Sequence, residues 1–461
     1  MKINQETKTL IKANIFALLI FSLIVLSGSI FKESNKVSGA DSLVVSAVNV
    51  DEDNINPDKL YSRVWELIKK DYVDQNFNGQ DWNIWKDRYK GKLKTLDDAH
   101  KGIETMLASL GDRYTRFLSK KDFDDEKQAI NAKLTGIGIQ IGLDKSQRLI
   151  VIAPIDGTPA HKAGLIPGDE ITEINGEPTK GISVEEAATQ IKGPIGTEVT
   201  LTIGRGKDNF KKTITRAEIQ IKAIAKGHAR FLKNNLGYIR LNSFISQEAS
   251  KEMKEALNEL SKADGLLIDL RDNPGGLLTN AIEISDMFLE QGVIVSTVDK
   301  DGYIQSLTAD EKIITTKPIV VLVNENSASA SEIFSGALKD NQRAKVVGSK
   351  TFCKGLVQGI NKLDDGSGVN VTIAKYLTPA KVDINQLGIK PDYDVKLTLD
   401  DYKASKGPWF SDPNNLPSKR KPDDGKDLQL VKGVEILKEI IKTVNANEIS
   451  RRGADKAKAS L

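Results

Sequence analysis

Three serines stand at alternate positions in NENSASASEIF, residues 324–334: Ser327, Ser329 and Ser331. Shortly after comes TFCKG, residues 351–355, which carries Lys354. A hydroxyl can open a peptide bond only if a neighbouring base takes its proton. The chain holds three histidines, His100, His161 and His228. A Ser-His-Asp triad is arithmetically open, yet no histidine falls at the end of a core strand. A neutral lysine is the other route. An unperturbed lysine, with pKa ~10.4, is only about 0.4% neutral at pH 8. Lowering that value by ~2–3 units costs about 3–4 kcal/mol of differential solvation, which demands burial without a carboxylate partner. Lys354 suits this, because TFCKGLVQG (351–359) is poor in charge. Lys339, Lys345 and Lys350 lie in polar company. The serines also have a plain structural reading, since Ser329 and Glu332 fit the S-x-x-E capping box of a helix start.

These residues need a scaffold. PIVVLVN (318–324) reads as a buried strand and SEIFSGALKD (331–340) as a helix, so the serines fall where a strand hands over to a helix. Catalytic loops of α/β folds sit at such ends, where the first N–H groups of the helix are unpaired. The alternation continues around it. LGYIRLNSF (236–244), GLLIDL (265–270), VIVSTV (293–298) and AKVVGS (344–349) read as strands, separated by helical patterns at 246–263 and 277–292. Buried strands alternating with helices make an α/β core.

Upstream, LTGIGIQIG, RLIVIAPI, AGLIPGDEITEING and VTLTIGR are short β-rich runs broken by Gly and Pro, with a helical pattern at 183–193. Residues 134–217 read as a compact β-rich module with one or two helices. Before it, 58–74 and 96–119 carry apolar residues at helical spacing, and Gly111 stops the second helix. Residues 401–427 are polar, a last helix is expected at about 428–443, and SRRGADKAKASL (450–461) reads as a disordered tail.

The amino end differs in kind. Ala13–Phe31 is almost wholly apolar and follows Lys2, Lys8 and Lys12. At ~1.5 Å per residue the run reaches about 28 Å, one bilayer core. It reads as a signal peptide or a signal anchor (1–31), followed by a linker (32–55). Either places the bulk of the chain outside the cytoplasm.

Bulk composition narrows the function. The chain has 461 residues, with 66 Lys and Arg against 63 Asp and Glu, for a net charge of +3. That balance argues against a nucleic-acid binder. A single cysteine, Cys353, excludes an intramolecular disulfide. The histidines lack metal-ligand spacing with one another, so a zinc site is not expected, and a serine attack assisted by a lysine implies no metal or cofactor.

The stretch from NENSASASEIF through TFCKGLVQ resembles the carboxyl-terminal processing (tail-specific) peptidases, serine-lysine proteases with an embedded PDZ domain. MLASLGDRYTRFLS, the β-rich module, LGYIRLNSF, GLLIDLRDNPGG and GIKPD are similar as well, so the resemblance covers roughly 58–400. It implies a multidomain α+β and α/β fold: a helical segment at 56–130, a PDZ domain at 134–217, a crotonase/Clp-like protease core at 218–400 and a polar carboxyl-terminal segment at 401–461. Carried over by position, it makes Ser329 the nucleophile, Lys354 the base and Gln358 the group that orients the lysine. Ala330 with Gly275 or Gly276 would give the oxyanion hole. Ser327, Ser331 and Ser335 fall back to turn and helix roles. Asp340 keeps a structural role, because a carboxylate beside Lys354 would raise its pKa.

Two departures stand out. Cys353 occupies a position that is usually glycine; if φ is positive there, a Cβ costs roughly 1–2 kcal/mol. Ala380 and Lys381 follow Pro379 where a glycine is usual.

A PDZ domain captures a peptide carboxyl terminus by strand addition beside a Gly-rich loop, here Gly136, Ile137, Gly138 and Ile139. The implied partners are proteins or peptides with free, apolar carboxyl termini. A membrane is added if the leader stays uncleaved, and a homo-oligomer or regulatory partner is left open. A catalytically inactive PDZ adaptor is the alternative, with Cys353 as its support. FNGQDWNIW (77–85) is similar to homologues from oxygenic phototrophs, which adds processing of the photosystem II protein D1 as a narrower reading.

Overall fold

The computed structural model describes residues 24–26 and 55–459, apart from 131–132, 145, 156–157, 167, 221, 311–312 and 411–419. The expected leader and linker therefore lie outside the described residues, except for a strand at Ile24–Leu26 that runs parallel beside Gln358–Ile360. Among the described residues no helix is long and apolar enough to cross a membrane.

The core is built on a parallel sheet. Strands Leu236–Arg240, Gly265–Asp269, Ile319–Val323 and Lys345–Gly348 lie side by side in that order. Ala229–Leu232 closes one edge antiparallel, and Tyr393–Asp394 closes the other. Every residue of GLLID and IVVLV is buried, because both faces of the sheet are covered. The two-residue period of a strand divides them. Leu266, Ile268, Val321 and Val323 pack with helices Ala249–Glu259, Leu278–Asp286 and Ala330–Asp340. Leu267, Val320 and Leu322 face Leu430, Ile436 and Leu437 of the helix Leu428–Ala459.

A second, antiparallel sheet carries the hairpin Leu356–Lys362 and Gly368–Leu377. Val293–Asp299 pairs with its far end and Arg116–Leu118 with Gly368–Asn370. Helices Pro57–Asp71 and Leu96–Ala108 bury Val64, Ile68, Ile103 and Met106 against Val369 and Val371 of that hairpin. The amino-terminal helical segment is thus a buttress for the strands that follow Lys354.

The β-rich module is a five-strand antiparallel path from Ile139–Leu143 through Leu149–Pro154, Glu170–Ile174 and Glu198–Arg205 to Asp208–Thr215. Helix Val184–Ile191, closed by a Ser183–Glu186 capping box, sets Ala187 and Ile191 into its core beside Ile139 and Ile141. The module hangs on a ribbon: Lys133–Gly136 on the way in pairs with Ala217–Gln220 on the way out. Helix Lys120–Ile130 leads into it.

Two expectations need correction. The helix of 96–119 ends before Gly111 as expected, but the segment 56–130, read as helical, also contributes a strand, Arg116–Leu118, to the second sheet. Three residues are too few to show a period of two. The tail expected to be disordered from Ser450 is instead helical to Ala459. Gly453 is its one breaker, and its Ala, Arg and Lys residues favour helix.

Candidate active site

Strand Ile319–Val323 ends at Asn324, and helix Ala330–Asp340 begins just after Ser329. The turn between them is fixed by its neighbours. Ser327 Oγ donates to the Leu270 carbonyl at 2.7 Å, Ser331 Oγ to Asn273 at 2.9 Å, and Ser335 Oγ to Ser331 at 2.7 Å. Each of these hydroxyls holds backbone together.

Ser329 differs. It has φ 59° and ψ −115°, a strained turn for a residue with a Cβ. It is 1% exposed, and its Oγ has no hydrogen-bond partner among the described residues. Only half of the expected capping box closes: Glu332 Oε2 accepts the Ser329 N–H at 2.9 Å, while the hydroxyl is left over. Ser329 therefore stands on a strained strand-to-helix turn with its hydroxyl buried.

Glu332 does more than cap. Its Oε2 also accepts the Lys354 N–H at 2.8 Å. Its Oε1 accepts from the Cys353 N–H at 2.8 Å and from Thr351 Oγ1 at 2.6 Å. One carboxylate oxygen therefore holds the backbones of Ser329 and Lys354 together. Burial pushes the Glu332 carboxyl up, and the donors pull it back. With every neighbour donating, the ionised form is the one that fits.

Lys354 is 5% exposed, with its Nζ 5.1 Å from the centre of the Tyr114 ring. Burial lowers its pKa to about 8, with Arg116 and Arg113 acting in the same direction and Glu126 and Glu332 opposing. A substantial neutral fraction at pH 8 makes it competent as a base. Gln358 is fully buried on the next strand, and neither amide atom has a hydrogen-bond partner among the described residues. The structure thus brings the backbones of Ser329 and Lys354 together on Glu332, with Gln358 four residues further along, and the three side chains are not hydrogen-bonded to one another. Catalytic hydrogen bonds in unliganded sites often close only when substrate is bound.

Cys353 sits at φ 71°, the left-handed region in which a Cβ costs about 1–2 kcal/mol. Its sulfur lies 3.5 Å from the Thr351 carbonyl, and a Cβ on Gly388 would come within 2.8 Å of it. The neighbours are spaced for it, so it fills a gap beside the Lys354 loop.

Gly275 presses on the nucleophile turn: at φ 98°, a Cβ there would fall 2.8 Å from Ser329 Cβ and 2.9 Å from Ala330 N. Its own N–H already donates to Asn273 Oδ1 at 2.9 Å. Asp340 Oδ2 accepts the Ala380 N–H at 3.0 Å, a structural bond within the altered TPAK loop.

Of the four GIGI residues, Gly136 ends the ribbon strand, Ile137 and Gly138 make a bend, and Ile139 begins the PDZ sheet. Gly138 has φ 77°, and a Cβ would meet Thr158 at 2.4 Å. The Ile137 carbonyl accepts from Ala160 at 2.8 Å and the Gly138 carbonyl from Ile155 at 2.9 Å. Ile139–Leu143 is the outer strand, with helix Val184–Ile191 packed beside it. Among the described residues no cluster of three or more His, Cys, Asp and Glu side chains is arranged for a metal ion.

Sequence reasoning missed the second half of Glu332's role, together with Thr351, Tyr114, Arg113 and Glu126. S-x-x-E marked the cap, but nothing local announces partners twenty residues away.

Comparisons with known proteins agree with this architecture. Residues 235–395 match peptidase family S41 and residues 126–204 match the PDZ domain. The chain is 41% identical over 348 residues to a carboxyl-terminal-processing protease of Synechocystis sp., covering 74% of this chain and 81% of that protein. It is 37% identical over 349 residues to the carboxy-terminal processing protease CtpA of Bacillus subtilis, covering 75% and 70%. Among solved structures, a photosystem II D1 C-terminal processing protease superposes with a TM-score of 0.52 at 33% identity, covering 74% of this chain and 93% of the other. Together with the α/β core and its inserted PDZ domain, these matches make the chain a serine peptidase of family S41, a relative of the carboxyl-terminal-processing proteases.

Proposed function

We propose that the chain is an extracytoplasmic endopeptidase that cleaves near protein carboxyl termini, with Ser329 as nucleophile, Lys354 as base and Gln358 as its orienting group. The observation that carries this reading is Lys354, buried and lowered to about 8 beside the strained turn of Ser329. Ser329 Oγ attacks the scissile carbonyl carbon while its proton passes to Lys354 Nζ. The Ala330 and Gly276 N–H groups receive the developing oxyanion. Lys354 then gives the proton to the leaving amine as the C–N bond breaks. Water, deprotonated by Lys354, hydrolyses the Ser329 ester and restores both groups.

The PDZ groove along Gly136–Ile139 takes the free, apolar tail and raises the local concentration of the scissile segment. Lys2, Lys8, Lys12 and the apolar run after them direct the chain across a membrane. Relatives named chloroplastic in Arabidopsis thaliana support a compartment beyond a membrane.

The unbonded Ser329 Oγ and the strained Cys353 favour one other reading, an inactive adaptor that only binds tails. A peptide ending in apolar residues separates them. Turnover by the wild type that falls at least 1,000-fold in both Ser329→Ala and Lys354→Ala supports the peptidase, on the order of magnitude seen when such groups are removed. Binding without turnover by the wild type supports the adaptor. Equal turnover by all three overturns the mechanism. A D1-type carboxyl-terminal peptide in the same assay tests the narrower substrate suggested by the D1-processing relative.

A further inference from the structure

We propose that Arg113 is a specificity-determining residue: its guanidinium takes the carboxylate of an Asp or Glu side chain in the segment that leaves the scissile bond. This rests on Ser329 and Lys354 as the dyad of the proposed mechanism.

Lys354 fixes which part of the substrate passes here. As the acid of the second step it hands a proton to the leaving amine, so the residues just after the scissile bond run beside its Nζ. The Tyr114 ring stands over that Nζ, with its centre 5.1 Å away. Arg113 lies over the same ring, its Cζ 4.8 Å from the centre, and its Cζ is also 5.9 Å from the centre of the Phe352 ring. Phe352 belongs to the nucleophile side, since its N–H donates to the Ser327 carbonyl at 3.0 Å. One guanidinium thus spans an aromatic wall that joins the lysine to the serine turn. Tyr114 and Phe352 are half-buried and Arg113 is exposed, so the wall offers apolar rings with a cation on their solvent side.

The wall is anchored. Asp112 Oδ1 accepts the Tyr114 N–H at 2.9 Å, and its Oδ2 accepts the hydroxyls of Thr115 at 2.8 Å and Thr372 at 2.6 Å. Thr115 Oγ1 in turn accepts the Thr372 N–H at 3.0 Å, and Thr372 lies opposite Gln358. The turn that carries Arg113 is therefore fastened to the hairpin that follows Lys354.

Arg113 keeps its charge free. Among the described residues its one side-chain hydrogen bond runs from Nη2 to the Tyr114 hydroxyl at 2.7 Å, and no carboxylate pairs with it. The acidic groups nearby are committed elsewhere: Asp112 to its turn, Glu126 to Arg116 and Asn370, and Glu332 to the backbones of Ser329 and Lys354. A guanidinium already laid over a ring has less freedom to lose, and its remaining donors suit a bidentate grip on a carboxylate. Arg113 also acts on the charge of Lys354, which puts it within electrostatic reach of the base. The terminal carboxylate of the tail is assigned to the PDZ loop, so the carboxylate taken here is that of a side chain.

The test uses the full chain and one internal cleavage sequence in a long peptide with a free, apolar carboxyl end. Glu, Gln or Lys is placed in turn at the first, second and third positions after the scissile bond. The readout is the ratio of kcat/KM for the Glu peptide to that for the Gln peptide within one protein, so a fraction that fails to fold cancels. The wild type should favour Glu by at least about threefold at one of these positions, as an exposed ion pair allows. The preference should lie in KM and shrink in about 0.5 M salt. Arg113→Gln should bring the ratio to about one, and Arg113→Glu should invert it and favour the Lys peptide. The contact precedes the chemistry, so Ser329→Ala should bind the Glu peptide more tightly than the Gln peptide by a similar factor. A structural role alone would slow all peptides alike in the Arg113 variants and keep the wild-type ratio, which overturns the proposal. So does a wild-type ratio of one at all three positions, or equal binding by Ser329→Ala. Lys354→Ala is the control: cleavage surviving there defeats the dyad reading itself, whereas its loss beside flat ratios defeats only this inference.

Discussion

Replacing Lys354 by methionine should abolish peptide cleavage and at the same time make the protein more stable at neutral pH. The loss of activity is on the order of 10,000-fold or more, as for removal of a general base that works as one unit with its nucleophile. The stability change follows from the environment of the amine. In the folded chain its pKa falls from 10.5 to about 8, chiefly through burial. Between those pH values the unfolded chain binds a proton that the folded chain does not, so wild-type stability rises with pH across that window. Below pH 8 the wild type carries the full cost of burying the charge, up to about 3 kcal/mol at about 1.4 kcal/mol per unit. Methionine has similar reach and no charge. The variant should therefore melt above the wild type at pH 7, with the gap closing toward pH 10.5. Thermal unfolding at three pH values decides this; a variant less stable than the wild type at pH 7 would mean that the amine is not buried at a cost.

Glu332→Gln should damage stability and turnover together. The carboxylate receives three N–H groups and one hydroxyl, from Ser329, Lys354, Cys353 and Thr351. An amide replaces one accepting oxygen by a donor and leaves at least one buried N–H facing another. Each such unsatisfied group costs about 1–3 kcal/mol. The backbones of Ser329 and Lys354 then lose their common anchor, and a misplacement of about 1 Å can cost about 100-fold in rate. We expect a loss of about 2–4 kcal/mol and a drop in kcat of at least about 100-fold, with a smaller change in KM. A variant within threefold of the wild-type kcat would show that this carboxylate does not hold the site.

The strands flanking the site were legible because both faces of their sheet are covered: GLLID and IVVLV are continuous apolar runs for that reason. Ser329 was legible as a helix start from S-x-x-E, and Lys354 as a candidate base from the absence of charge around it. What could not be read is what lies between distant segments. Arg116–Leu118 is too short for a pattern, yet it carries the arginine that meets Glu126. Asp427 looks like one polar residue among many, but its carboxylate closes on Arg271 at 2.7 Å, and Arg271 in turn pairs with Asp269 at the strand end before the NPGG loop. Such buried pairs are set by chain topology, and one partner alone gives no local signal. The positive φ at Cys353 was foreseeable only through its resemblance to a glycine position; the room made by Gly388 was not.

The most direct measurement is the covalent intermediate. A reaction with a tail-bearing peptide, quenched in acid at early times and digested, should give one acylated fragment by mass spectrometry, with the acyl group on Ser329. The adduct should vanish in Ser329→Ala. An acyl group on any other residue, or full turnover by Ser329→Ala, would contradict a nucleophilic serine activated by a buried lysine.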